Sequence, residues 1–205
     1  MGKKCLILYA SHTGNTEKVA LRFKKVFEKY GWECDSFRLN RKTDLDHLPF
    51  NFNNYDFACI GSGIELHEPY SEIVAAMRIP RYGFDPKNPP KVNPDAEGLA
   101  VAGKPPMQHK RIILGPDSKK AIVFVTYAGY DLGPEEAEPA LALLALEVAH
   151  LEFRCIGKFC CPGKFVNEPT PETFWGDIRD RPNERDLLKA EIFMEEILES
   201  IRDTC

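Results

Sequence analysis

The sequence has no apolar run near the roughly 18 residues that a membrane-spanning helix needs, which excludes a helical membrane span. Its start, MGKKCLILYASHTG, has too short an apolar core for a secretory leader. Polar residues follow at once without a small-residue cleavage site, so a cytoplasmic location is expected. MGKKCL has no Ser or Thr at its sixth position, which argues against myristoylation. None of the seven cysteines forms Cys-x-x-Cys, and Cys155, Cys160 and Cys161 have neither zinc nor iron–sulfur spacing. A disulfide framework is not expected in such a chain. The vicinal Cys160–Cys161 pair leaves two readings, a redox-active couple or packing at a strand end. There is no basic tract interleaved with aromatics, so nucleic acid is not an expected partner. His47, His67, His109 and His150 are scattered, and no catalytic triad or metal site can be assigned. Repeats and low-complexity tracts are absent as well.

The sequence does contain a steady exchange between strand and helix periodicities. KCLILYA is a short continuous apolar run, as a central strand covered on both faces requires. Val19, Phe23, Val26, Phe27 and Tyr30 then recur at three and four, one stripe of a helix that Gly31 ends. ECDSFRL, YDFACIGSGI, KAIVFVTYAG and EFRCIGKFCC read as four further strands. YSEIVAAMR reads as a short helix. Pro134 is expected to open a helix whose ALALLALEVA segment, apolar nearly all round, should be well buried. Asn183 is expected to cap a last helix striped by Leu187, Ala190, Met194, Ile197, Leu198 and Ile201. Strands joined by helical crossovers imply a doubly wound α/β sandwich with a five-stranded parallel sheet. The 205 residues suit a single domain, 1–205, broken by an irregular insertion at about 80–118 that holds eight of the sixteen prolines. Net charge is −4 but polarised: residues 1–45 carry ten Lys/Arg against five Asp/Glu, residues 134–205 eight against sixteen. That reads as solvated basic and acidic helices, or as an acidic face for a redox partner.

In such sheets ligands bind beyond the carboxyl ends of the strands, where the strand order reverses. Three polar or glycine-rich loops follow strands there: 11–16, 61–69 and 127–134. In the first, a helix start offers free backbone N–H groups, Gly14 allows close approach, and Ser11, Thr13, Asn15 and Thr16 add neutral donors. No lysine is present, so a nucleotide-hydrolysing P-loop is disfavoured, and Gly-x-Gly-x-x-Gly is missing too. Neutral donors suit a phosphate monoester. His12, taken alone, reads as a bystander, and His67 is the better candidate for a proton donor.

Ser11-His12-Thr13-Gly14-Asn15-Thr16 resembles the Ser/Thr-x-Thr-Gly-x-Thr phosphate loop of the flavodoxin family. YDFACIGSGI and KAIVFVTYAGY resemble that family's third and fourth strands with their flavin-flanking loops. RPNERDLLKAEIFMEEI resembles the last helix of flavodoxin-like proteins of anaerobes. The resemblance implies FMN, its phosphate on Ser11, His12, Thr13, Gly14, Asn15 and Thr16. Ser62, Gly63, Ile64 and Glu65 would border one side of the isoalloxazine, and Tyr127, Ala128, Gly129 and Tyr130 the other. Two positions depart from the pattern: Gly63 replaces a common proline, and Glu65 falls near an aromatic position. Either Glu65 borders the ring and disfavours an anionic reduced flavin, or it points to solvent and Leu66 or Tyr70 covers the ring. Tyr127 and Tyr130 are read against ordinary strand-end aromatics, and Trp175 as packing. The expected activities are electron transfer between protein partners, or an FMN-dependent oxidoreductase acting on a small substrate such as a quinone. The third reading is a binding module of the same fold without cofactor.

Overall fold

The structure is a computed structural model that describes residues 3–82, 112–165 and 173–202. Among the described residues, six strands form one sheet: β1 (Lys4–Ala10), β2 (Glu33–Leu39), β3 (Phe57–Glu65), β4 (Glu68–Pro69), β5 (Lys119–Tyr127) and β6 (Phe153–Pro162). Their order is β2-β1-β3-β5-β6, all parallel, with the two-residue β4 pairing antiparallel to the end of β3. The five parallel strands are those expected from the apolar runs. Helices α1 (Asn15–Lys29), α2 (Ser71–Tyr82), α3 (Glu138–His150) and α4 (Glu184–Arg202) cover the sheet. One face packs under α1 and α4 around Phe23, Phe27, Phe124 and Met194, the other under α2 and α3 around Met77, Leu141 and Leu144. Burial on both faces is why β1 and β5 read as unbroken apolar runs rather than as alternation. Most of the proline-rich insertion, 83–111, lies outside the described residues.

Two helices differ from expectation in instructive ways. Pro134 lies in a 3-10 turn, Gly133–Ala137, and the α-helix starts only at Glu138 with Pro139 in its first turn. Nor is α3 buried all round: Leu146 stays 53% exposed, while Glu147 is buried. Glu147 is tolerated there because the Arg78 guanidinium meets it, with Nη2 2.6 Å from Oε1. The α4 start follows expectation. The Asn183 side-chain oxygen accepts the amides of Arg185 and Asp186, and Asp186 returns a bond to the Asn183 amide, a reciprocal cap.

The vicinal cysteines do not form a couple. Neighbouring side chains on a strand point to opposite faces; Cys160 packs toward α2 and α3, Cys161 toward α1 and α4.

Candidate functional site

The chain leaves β1 toward β2 on one side and returns to β3 on the other, so the sheet order reverses between β1 and β3. Ala10 is paired with Ser62 at that point, which brings loops 11–16 and 63–70 side by side. A cavity of about 660 Å³ opens there, within the range of small-molecule sites. His12, Thr13, Asn15, Gly63, Ile64, Glu65, Tyr127, Ala128 and Tyr130 line it; Ser11, Gly14, Thr16, Ser62 and Gly129 are their neighbours along the chain. The turn after β4 adds Tyr70. A third wall, Gly163–Phe165 after β6, was not anticipated. Its Pro-Gly signature in CCPGKF, directly at a strand's carboxyl end, is the signal that could have revealed it.

The start of α1 is open. Gly14 occupies the N-cap position with φ 84°, and no side chain caps the helix. The Ser11 hydroxyl is buried without a hydrogen-bond partner, and so is the Asn15 side-chain oxygen. A turn built only to start a helix would use such a hydroxyl as a cap; here the Ser11 hydroxyl caps nothing. The loop is held rigidly from behind. Arg38 donates from Nε and Nη2 to the Ser11 carbonyl (3.0 and 2.7 Å) and from Nη1 to Glu17 (2.8 Å). The Thr16 hydroxyl meets that of Thr126 at 2.9 Å, and the Asn15 amide donates to the Lys164 carbonyl at 2.8 Å. Burial and the neighbouring Glu17 push the Tyr9 phenol up to about 12, so it stays a neutral donor to that carboxylate.

His12 is tied to two residues outside its own loop. Its imidazole stacks on the Tyr70 ring (centroids 3.8 Å apart, planes 12° apart), and Nε2 lies 2.5 Å from Oε1 of the buried Glu72. The Tyr70 ring in turn covers Gly63, where an added Cβ would lie 2.5 Å from a ring carbon. That close approach is the reason glycine, not proline, stands there. The Ser62 hydroxyl accepts the Tyr70 amide and donates to the Gly63 carbonyl, fixing the turn. Burial, with Glu65 and Glu72 nearby, raises the Tyr70 pKa. Glu65 itself points to solvent, 3.7 Å from Arg41. His67 sits with Leu66 at the exposed tip between β3 and β4, both at positive φ.

On the opposite wall Tyr127 is buried and its phenol pKa is raised, by burial first and then by Cys160. Trp175 packs against Gly129, as expected of a packing residue. Glu136 organises the loop after β5: its carboxylate accepts the amides of Asp131 (2.8 Å) and Leu132 (3.0 Å). Burial pushes its pKa up, but these amides and that of Tyr130 outweigh it and the net shift is down. A carboxylate lowered in the folded state contributes its full share above the unfolded value, about 4.3, and loses it as pH falls through the folded value. Amide-exchange protection at Asp131 and Leu132 is therefore expected to persist through the ordinary carboxylate range and to be lost only at more acid pH. In Glu136→Ala it should be low at every pH, as read by hydrogen exchange.

Comparisons with solved structures agree with this layout. Flavodoxin 2 from Bacillus cereus matches at 18% identity and TM-score 0.56, over 96% of this chain and 99% of that one. The Flv1 flavodiiron core from Synechocystis sp. PCC6803 matches at 12% and 0.59, over all of this chain and 37% of that one. The fold is flavodoxin-like. Rubredoxin oxygen:oxidoreductase from the anaerobe Desulfovibrio gigas matches as well, at 13% identity and TM-score 0.56, over 98% of this chain and 36% of that one. The chain thus spans nearly all of the first protein but just over a third of the other two. No protein-family model and no curated protein matches the sequence. Within the flavodoxin-like fold, the cavity lies at the switch point where such sheets bind ligands. Among the described residues, no cluster of His, Cys, Asp or Glu could hold a metal ion, and no helix is long and apolar enough to cross a membrane.

Proposed function

We propose that this chain is an FMN-binding redox protein. The observation that carries the reading is the uncapped start of α1 beside the unpartnered Ser11 hydroxyl, at the switch point of a flavodoxin-like sheet. An uncapped helix start with a buried hydroxyl lacking an acceptor fits an anion, and the absence of a lysine fits a phosphate monoester held by neutral donors. Bound FMN supplies one- and two-electron chemistry at its isoalloxazine ring. Ser11, Thr13 and the first-turn amides of α1 would donate to its phosphate, while Arg38 braces the loop. Gly63 and Ile64 on one side and Tyr127–Tyr130 on the other would flank the ring, and their apolar and aromatic surfaces suit a flat ring. The test is reconstitution. Protein mixed with FMN and desalted is expected to remain yellow at one flavin per chain; a colourless product overturns the reading.

Electron transfer to a protein partner is the simplest activity for such a site. One observation favours a second reading, reduction of a small planar acceptor such as a quinone. His12, on the cavity wall and oriented by the buried Glu72, is placed to hold and release a proton. Glu72→Gln is expected to lower kcat for NAD(P)H-driven quinone reduction several-fold and to alter its pH profile. FMN affinity and quinone KM should stay the same. An unchanged kcat and profile would favour the carrier.

A further inference from the structure

At the opposite end of the sheet from the cavity, three cysteines meet. Cys5 on β1 stands directly across from Cys34 on β2 in the parallel register. Cys59 on β3 lies two residues beyond Phe57, the register partner of Cys5, and therefore on the same face. All three belong to the layer beneath α1. Burial pushes the Cys5 thiol well above its usual pKa, and the neighbouring thiols of Cys34 and Cys59 act on it in the same direction. Burial raises Cys59 as well. Access separates the three: Cys5 and Cys59 are 0% exposed, whereas Cys34 is half-buried on β2, the edge strand of the sheet.

We propose that Cys34 and Cys5 form a thiol site that reacts with hydroperoxides and closes to a disulfide. Adjacent strands run about 4.8 Å apart, inside the roughly 4.4–6.8 Å span of Cα positions that a disulfide bridges. The reactive member is Cys34, because the other two thiols are fully buried and only Cys34 can be reached from outside. Its sulfur attacks the O–O bond of a hydroperoxide, which leaves as the alcohol, or as water from hydrogen peroxide, and Cys34 becomes a sulfenic acid. The Cys5 sulfur then displaces that hydroxyl, the S–S bond forms, and the Cys5 proton leaves with the hydroxyl as water. Two thiols have lost two electrons and the peroxide oxygen has gained them. The bridge fastens the edge strand to the centre of the sheet. Cys160 and Cys161 cannot substitute for it, since they point to opposite faces.

The site does not rest on flavin binding and is tested without it. The full chain is treated with hydrogen peroxide, alkylated under denaturing conditions and digested with trypsin. The expected product joins peptide 5–18 to peptide 30–38, with loss of two hydrogens and of both alkylation sites. Cys59→Ser should retain the link. Cys34→Ser should abolish it and leave Cys5 reduced, and Cys5→Ser should leave a sulfenic acid on Cys34 that a dimedone probe traps. Wild-type protein whose Cys5 and Cys34 both remain alkylatable after peroxide, or whose bridge joins any other pair, overturns the proposal.

Discussion

A Gly61→Val protein is expected to melt roughly 6–12 °C below the parent, the shift that about 3 kcal/mol produces in a chain of this size. Local preference points the other way. Gly61 lies inside β3, where valine is a better strand former, and replacing glycine lowers the entropy of the unfolded chain by up to about 1 kcal/mol. Packing decides the sign. A Cβ at Gly61 would lie 2.1–2.5 Å from the Phe124 ring, which sits across from it on β5. The ring cannot retreat, because Phe23 from α1 packs edge-on against it at 5.1 Å, and Phe23 is itself packed with Phe159 and Phe193. The clash therefore spreads through the layer that joins α1 and α4 to the sheet. Phe124→Ala alone should cost about 3–5 kcal/mol through its cavity. Combined with Gly61→Val it should cost less than the two separately, since the valine fills part of the space. Denaturant melts of the four proteins measure this, and a Gly61→Val melting point at or above the parent's would contradict the seat of Phe124.

Ser11→Ala should weaken FMN binding about 10- to 100-fold, the range for a hydrogen bond to a charged group, and leave riboflavin binding unchanged. The flavin-free protein should behave in the opposite sense. Its Ser11 hydroxyl is buried without a partner, a burden of about 1–3 kcal/mol that alanine removes, so the apo variant should be as stable as the parent or more so. This reversal distinguishes a ligand-directed donor from a structural cap, whose loss would destabilise the apo protein. Thr13→Leu, on the cavity wall, should also loosen FMN. An unchanged FMN affinity in both variants would remove loop 11–16 from the phosphate site. Titration of flavin fluorescence with each protein reads all of these affinities.

What was legible in the sequence follows from how each feature is encoded. Parallel strands buried on both faces must be continuously apolar, so KCLILYA and KAIVFVTYAG were visible as strands at once. Loop 11–16 was visible because its hydroxyls and glycine end an apolar run abruptly. Asn183 was visible because a cap acts on residues two and three positions away. Contacts between distant segments left no such trace. Nothing near His12 in the chain announces Glu72, sixty residues on. Glu147 lies in an otherwise apolar helix, and its charge partner Arg78 comes from α2, sixty-nine residues earlier. The wall at Gly163–Phe165 needed β6 placed beside β5 before it could face the cavity.

The sequence by itself determined the alternation of strand and helix, the parallel sheet and the loop at the start of α1, because these depend on neighbours within a few residues. Only the tertiary structure decided what His12 is held by, why Gly61 and Gly63 lack side chains, and which cysteines can meet. Each of these depends on a register between strands or a ring packed from another element, and the strand order that brings those elements together arises only when the sheet closes around its core.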